Sequence, residues 1–252
     1  SKERLSLPKL WRFNVDNLMS IRVGAIIAAA GDGRRFSKKG EKRRKQFVLL
    51  GGKPLFLHSA ISLFYSSIVT KIIVVVPENN IEHCTDLIKG EFGPNNIDVI
   101  VGGSERQESV YNAFSKIRSS VDAVIIQDGA RPFMNPRWIT STVKKIETYD
   151  GAIVALPASD TLKFSQNSII QETLDRSSIW QAQTPQTFTV DILDTAFDYA
   201  KKKSFIGTDE SQLVEMVGGQ IALIKGSSFN LKLTTKNDLI LAQAIFAEGL
   251  NV

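Results

Sequence analysis

The sequence is short of most features that would make its chemistry obvious. Cys84 is its single cysteine, which excludes a disulfide-stapled fold and sits comfortably with a reducing compartment. His58 and His83 are the only histidines, and neither has a partner at metal-ligand spacing. Cys84 lacks a CxxC partner, and no Gly-x-Ser-x-Gly elbow marks a hydrolase nucleophile. The longest apolar runs, Val23–Ala30 and Ile72–Val76, fall well short of the ~20 residues of a membrane-spanning helix. A signal-peptide core, internal repeats and low-complexity tracts are also missing.

What is present is ordinary globular composition, 43% hydrophobic and 23% charged over 252 residues, enough for one sizeable α/β domain. The formal charge of +5 is unevenly placed. From Arg34 to Lys45 there are eight basic residues against one acid, Glu41, so that loop carries +7 and the rest of the chain sums to −2. A nucleic-acid surface spreads its charge over a face. A local cluster fits a polyphosphate as well, and composition leaves the two open.

Residues 1–22 have no apolar period and read as an extension outside the core, with Met19 a candidate start. From Val23 short buried-strand runs recur: Val23–Ala30, Lys71–Pro77, Ile97–Val101, Ala123–Gln127, Ala152–Leu156 and Gln220–Ile224. Helical spacing lies between several of them, over Pro54–Phe64, Glu105–Ile117 and Pro136–Tyr149, the last with a proline at its start. The alternation predicts a doubly wound, mostly parallel α/β sheet of Rossmann-like type, one domain over 23–252, with its strand-end loops along one edge. The polar stretch Ser159–Gln183 breaks the rhythm and reads as an excursion, an arm over about 157–183.

Three strand-to-helix turns stand out. Ala28–Gly33 leads into Arg34-Arg35-Phe36, a small-residue turn whose backbone N–H groups suit an anion. Phe36 occupies the third-glycine position of the dinucleotide motif and there is no P-loop ending, so a tight turn with solvated charges is the competing reading. Lys45-Gln46 further on favours a phosphate-rich ligand. Asp128-Gly129-Ala130-Arg131-Pro132 puts a carboxylate at a strand end, placed to meet a metal or a hydroxyl, or else only to form a turn and pair with Arg131. In Gly102–Ser109, Ser104 reads as a helix N-cap.

In combination these motifs resemble a family. Ala29–Arg35 with Lys45-Gln46-Phe47 is similar to the signature of nucleotidyltransferases that activate sugar or polyol phosphates. The ordered set of Asp128–Pro132, Asp160-Thr161-Leu162-Lys163, Asp175-Arg176, Gln181–Gln186, Thr208-Asp209-Glu210 and Asn230–Thr234 resembles the 2-C-methyl-D-erythritol 4-phosphate cytidylyltransferase family. The likeness runs over roughly residues 23 to 247. Ribitol-5-phosphate cytidylyltransferase is the nearest alternative, and Asp175-Arg176-Ser177-Ser178-Ile179-Trp180 favours the methylerythritol side. A nucleic-acid-binding module using loop 34–45 is the alternative of another class.

The resemblance implies CMP transfer from CTP to the polyol phosphate in isoprenoid biosynthesis. By motif, Arg35 and Lys45 would stabilise the transition state, and Arg176 and Lys232 would position the acceptor phosphate. Ala29, Ala30, Gly31, Gly33, Arg34, Gly102 and Ser109 would bind CTP, with Arg106 supporting the turn. Asp128, Arg131, Thr161, Thr184 and Thr208 would line the polyol site. Mg²⁺ would be bound mainly through the CTP phosphates, with no metal ligands from the protein. The arm would make a homodimer with shared sites, with no nucleic-acid or membrane partner, in bacterial cytoplasm or a plastid. Two departures stand out: loop 35–45 is longer than is usual in the family, and Gly129 replaces a common alanine.

Overall fold

Alternation at period two explains the sheet. In the first strand, β1 (Val23–Ala28), Ala25 and Ile27 enter one apolar cluster while Ile26 enters the other. A strand buried on both faces has no polar side, so it appears in sequence as an unbroken apolar run. The computed structural model describes residues 21–31, 47–94 and 97–249.

A small hairpin, β2 (Leu49–Leu50) and β3 (Lys53–Pro54), precedes α1 (Leu55–Phe64) and β4 (Val69–Val76). Next come α2 (Ile81–Phe92), β5 (Ile97–Val101), α3 (Arg106–Ile117), β6 (Ala123–Asp128), α4 (Pro136–Lys145) and β7 (Gly151–Pro157). An outlying hairpin, β8 (Leu162–Gln166) and β9 (Ile169–Leu174), follows, and β10 (Trp180–Thr189) returns to the core. The chain ends through α5 (Val190–Lys203), α6 (Glu210–Met216), β11 (Ile221–Lys225) and α7 (Lys236–Ala247).

The central sheet has the order β11-β7-β10-β6-β1-β4-β5. Every neighbouring pair is parallel except the two made by β10, which is antiparallel to both β6 and β7. Helices α1, α2 and α4 cover one face through Leu63, Cys84 and Ile139. On the other face α3, α5 and α6 pack Phe114, Phe197 and Val214. Asn135 caps α4 by accepting from the Arg137 N–H at 2.9 Å, with Pro136 at the first helical position.

Two expectations are corrected here. Ser104 does not cap α3: the N-cap is Glu105, and the Ser104 N–H and hydroxyl instead donate to the Glu108 carboxylate. The excursion also ends earlier than its polarity implied, because Trp180–Gln183 already belong to β10. The hairpin itself turns on Asn167 and Ser168, both with positive φ, the geometry of a two-residue turn whose twist matches its strands. The extension assigned to residues 1–22 meets the core at its last two residues. Ile21 packs on the first cluster, and Arg22 pairs with Asp122 at 2.6 Å.

Candidate functional site

Within the central sheet every strand but β10 runs the same way, so β1, β4, β5, β6, β7 and β11 end on one edge, and β10 begins there. Strand β1 lies between β4 and β6, where the winding of the sheet reverses direction. Ligands of open α/β sheets settle outside such a switch point. The Ala28 and Asp128 positions pair across it.

On the β4/β5 side, Ala29, Ala30, Gly102 and Ser109 come together. The Ala29 N–H donates to the Val75 carbonyl at 2.9 Å, and Gly102 N–H to that of Val76 at 2.9 Å. A Cβ on Gly102 would fall 2.4 Å from Ala30 Cβ and 2.7 Å from Ser109 Oγ, so only glycine lets these turns close. Ser109 is buried, and its hydroxyl accepts from the Gly103 N–H at 3.0 Å and donates to the Glu105 carbonyl at 3.0 Å. Its hydroxyl is spent on the shape of the turn. Gly31 ends the described part of the first turn; Gly33, Arg34, Arg35 and Lys45 lie outside the described residues.

On the β6 side the floor is ionic. Asp128, 6% exposed, takes Lys232 Nζ on Oδ2 at 2.8 Å, Arg131 Nε on Oδ2 at 3.4 Å and Arg106 Nε on Oδ1 at 3.4 Å. Burial alone would raise this carboxyl, but Lys232, Arg106 and Arg131 together outweigh it and hold it far below the usual carboxylate range. Arg106 also grips Glu210 with Nη1, at 2.9 and 2.8 Å to its two oxygens. Burial pushes the Glu210 carboxyl up against Arg106's pull, while Glu210 and Asp128 keep Arg106 more firmly charged despite its own desolvation.

A strap closes over this floor. Arg131 Nη1 donates to the Asn230 carbonyl at 2.6 Å, and the Leu233 N–H to that of Ala130 at 2.9 Å. Asn230, fully buried, donates through Nδ2 to Gln183 Oε1 at 3.1 Å and to the Thr184 carbonyl at 2.9 Å. Thr184 Oγ1 accepts from the Asp128 N–H at 3.1 Å. Asp128, Arg131, Thr184 and Lys232 are thus one constellation, and of these only Lys232 keeps a substantial open surface, with 35% of its side chain exposed. Asn230, Gln183 and Glu210 were not assigned roles from sequence. They fall within Asn230–Thr234, Gln181–Gln186 and Thr208-Asp209-Glu210, but a lone buried amide or carboxylate carries no periodic signal.

Thr161, Thr208 and Arg176 stay apart from that floor. Thr208 is exposed ahead of α6, its N–H and hydroxyl both donating to Gln212 Oε1 at 2.8 and 3.2 Å. Thr161 and Arg176 sit exposed at the root of the arm, where Arg176 donates to the Ser159 carbonyl. Among the described residues neither reaches the Asp128 constellation within one chain.

Of the readings open for Asp128, the pairing with Arg131 is present, and Lys232 and Arg106 share the same carboxylate. Among the described residues no group of three or more His, Cys, Asp and Glu side chains is arranged to hold an ion. A carboxylate locked in this way is ionised throughout the neutral range and takes no proton from a substrate. The described floor therefore offers charge and position rather than acid–base catalysis. No described helix is long and apolar enough to cross a membrane. His58 is held within the fold, its Nε2 3.0 Å from the Leu50 carbonyl.

A small-residue turn at the switch point, facing a buried, cation-ringed carboxylate, fits a nucleotidyl-transfer enzyme on a Rossmann-like sheet. The profile of 2-C-methyl-D-erythritol 4-phosphate cytidylyltransferase (IspD) matches residues 23–248, and the chain belongs to that family. The protein of that name from Geotalea uraniireducens is 39% identical over 234 residues, 92% of this chain and 99% of its own length. That from Clostridioides difficile is 37% identical, covering 87% of this chain and 92% of its own. The crystal structure of the Francisella tularensis 2-C-methyl-D-erythritol 4-phosphate cytidylyltransferase aligns with a TM-score of 0.73 at 29% identity, over 88% of this chain and 99% of that one.

Proposed function

We propose that the chain transfers CMP from CTP to 2-C-methyl-D-erythritol 4-phosphate. An oxygen of the acceptor phosphate attacks the α-phosphorus of CTP. The new P–O bond forms as the bond to the β-phosphate oxygen breaks, giving 4-diphosphocytidyl-2-C-methyl-D-erythritol and pyrophosphate. The acceptor phosphate is already anionic at neutral pH, so no protein base is required. The difficulty is bringing two anions together and holding the charge that builds on the α-phosphate. The observation that carries this reading is the family match across residues 23–248.

In this reading Lys232, fixed by Asp128 yet partly open, holds the acceptor phosphate, and Arg35 and Lys45 carry the transition-state charge. The closely packed turns at Ala29–Gly31 and Gly102 receive cytidine, with Gly33 and Arg34 completing the CTP side. Ser109, Thr184, Arg131 and Asp128 act from beneath, as the frame. Magnesium would reach the site on the triphosphate, where it screens phosphate charge. The hairpin bears exposed Phe164, Ile169 and Ile170, at 53%, 65% and 62%. Apolar surface on an isolated two-stranded arm calls for a cover. We propose a second copy of the chain, with Thr161 and Arg176 delivered to its acceptor site.

Pyrophosphate release tests the assignment. It is expected only when CTP, Mg²⁺ and 2-C-methyl-D-erythritol 4-phosphate are combined. Turnover of ribitol 5-phosphate in its place would move the chain to the ribitol enzyme's reaction.

A further inference from the structure

One side chain outside the constellation ties α3 to the loop between α5 and α6. Gln107 lies in the first turn of α3, beside Arg106. Its Nε2 donates to the Phe205 carbonyl at 3.1 Å, and its Oε1 accepts from the Gly207 N–H at 2.8 Å. A donor meets a carbonyl and an acceptor meets an N–H, so the two bonds fix the amide's orientation. A side chain about a hundred positions away in sequence therefore clamps the α5–α6 loop on either side of Ile206.

The ends of that loop are held by other means. Ser204 closes α5 with φ of 51°, and Asp209 caps α6 by accepting from the Gln212 N–H at 3.0 Å. Between them Phe205 packs on the second apolar cluster while Ile206 is 64% exposed, so apolar burial holds only the start of the loop. Thr208 follows the clamp directly. Arg106 takes hold two residues further on, at Glu210. The first turn of α3 thus grasps the loop on both sides of Thr208, and the same turn is packed through Ser109 against Gly102 and Gly103.

We propose that Gln107 is a positioning residue for the acceptor: it fixes the Phe205–Thr208 backbone so that Thr208 is presented to the polyol in register with the cytidine-side turn. The proposal rests on the reaction proposed above. Gln107 touches no substrate in this scheme and acts through Thr208.

Steady-state kinetics with CTP and 2-C-methyl-D-erythritol 4-phosphate, together with amide hydrogen exchange, tests it. Gln107→Ala is expected to raise the acceptor KM about tenfold, the scale of two lost hydrogen bonds, while the CTP KM stays within about twofold. Gln107→Glu keeps the acceptor for Gly207 N–H and loses the donor to Phe205, so it is expected to fall between Gln107→Ala and the parent. Thr208→Ala added to Gln107→Ala should cost little more than either alone, since the two act as a unit. Equal rises in both KM values, or fully additive effects, would overturn the proposal. Exchange at Gly207 and Thr208 is read without any turnover: it should accelerate in Gln107→Ala while the core amides stay protected. Unchanged exchange would dismiss the clamp itself, whereas a parent enzyme that makes no pyrophosphate would dismiss the reaction and leave the clamp standing.

Discussion

Lys232 stands over Asp128 at 2.8 Å, with the acid 8% and the lysine 35% exposed at the side chain. One partner is fixed in the floor and the other reaches solvent. The pair should therefore respond asymmetrically to substitution. Asp128→Asn leaves Arg106 and Arg131 short of their shared counter-charge in a buried place. A loss of about 3–5 kcal/mol is expected, the range for breaking a buried pair. Thermal unfolding should then fall by about 6–20 °C.

Lys232→Met leaves Asp128 paired with both arginines. Stability should change by no more than about 1 kcal/mol, because the lysine is partly solvated. The acceptor KM should rise tenfold or more, about the value of a charge-assisted contact. Urea unfolding and initial rates on the same preparation separate the two effects.

Gly102→Ala brings a methyl group 2.4 Å from Ala30 Cβ and 2.7 Å from Ser109 Oγ. The turn must move, at a cost of about 1–3 kcal/mol for overpacking. The CTP KM is expected to rise about tenfold with the acceptor KM little changed, the reverse of the Lys232→Met pattern.

The Asp128 carboxyl titrates well below its unfolded value, so its stabilising contribution is complete above the unfolded pKa of about 3.9. As pH falls through that value the unfolded chain binds a proton that the folded chain still refuses. The stability gap between the parent protein and Asp128→Asn should stay constant from about pH 8 to pH 5 and shrink below about pH 4. Urea titrations at each pH check this.

If the arm delivers Arg176 across a dimer, Lys45→Ala and Arg176→Ala will each lower turnover, the first by about a hundredfold, as for one lost transition-state donor. Mixed and reassembled, they should regain activity, because a heterodimer then contains one intact site. Proven heterodimers without recovery would count against shared sites.

Much of this was legible because parallel strands covered on both faces are written as apolar runs. Val23–Ala28 and Ala123–Gln127 needed no structure to be seen. Strand β10 was hidden by its polarity. Its Thr187 is fully buried, yet it donates to Thr142 Oγ1 at 2.7 Å, and Gln186, 1% exposed, donates to Asp209 at 2.8 Å. Hydrogen bonding, not hydropathy, lets such residues lie in a core. The glycine turn and the Asp128 motif were visible, but Asp128's partners come from α3, its own turn and the strap before α7. Only the folded chain shows that three cations meet on one carboxylate.

The direction of β10 has a consequence for how the arm can vary. Both of its roots, Pro157 and Trp180, pair with each other at the substrate edge, whereas its tip is Asn167-Ser168. Residues inserted at the tip lengthen the hairpin and leave the sheet alone. A one-residue slip in β10 would turn Thr184 and Gln186 to the opposite face, away from Asp128 and Asp209. Grafting, tagging or length variation is thus open at one end of the arm and closed at the other.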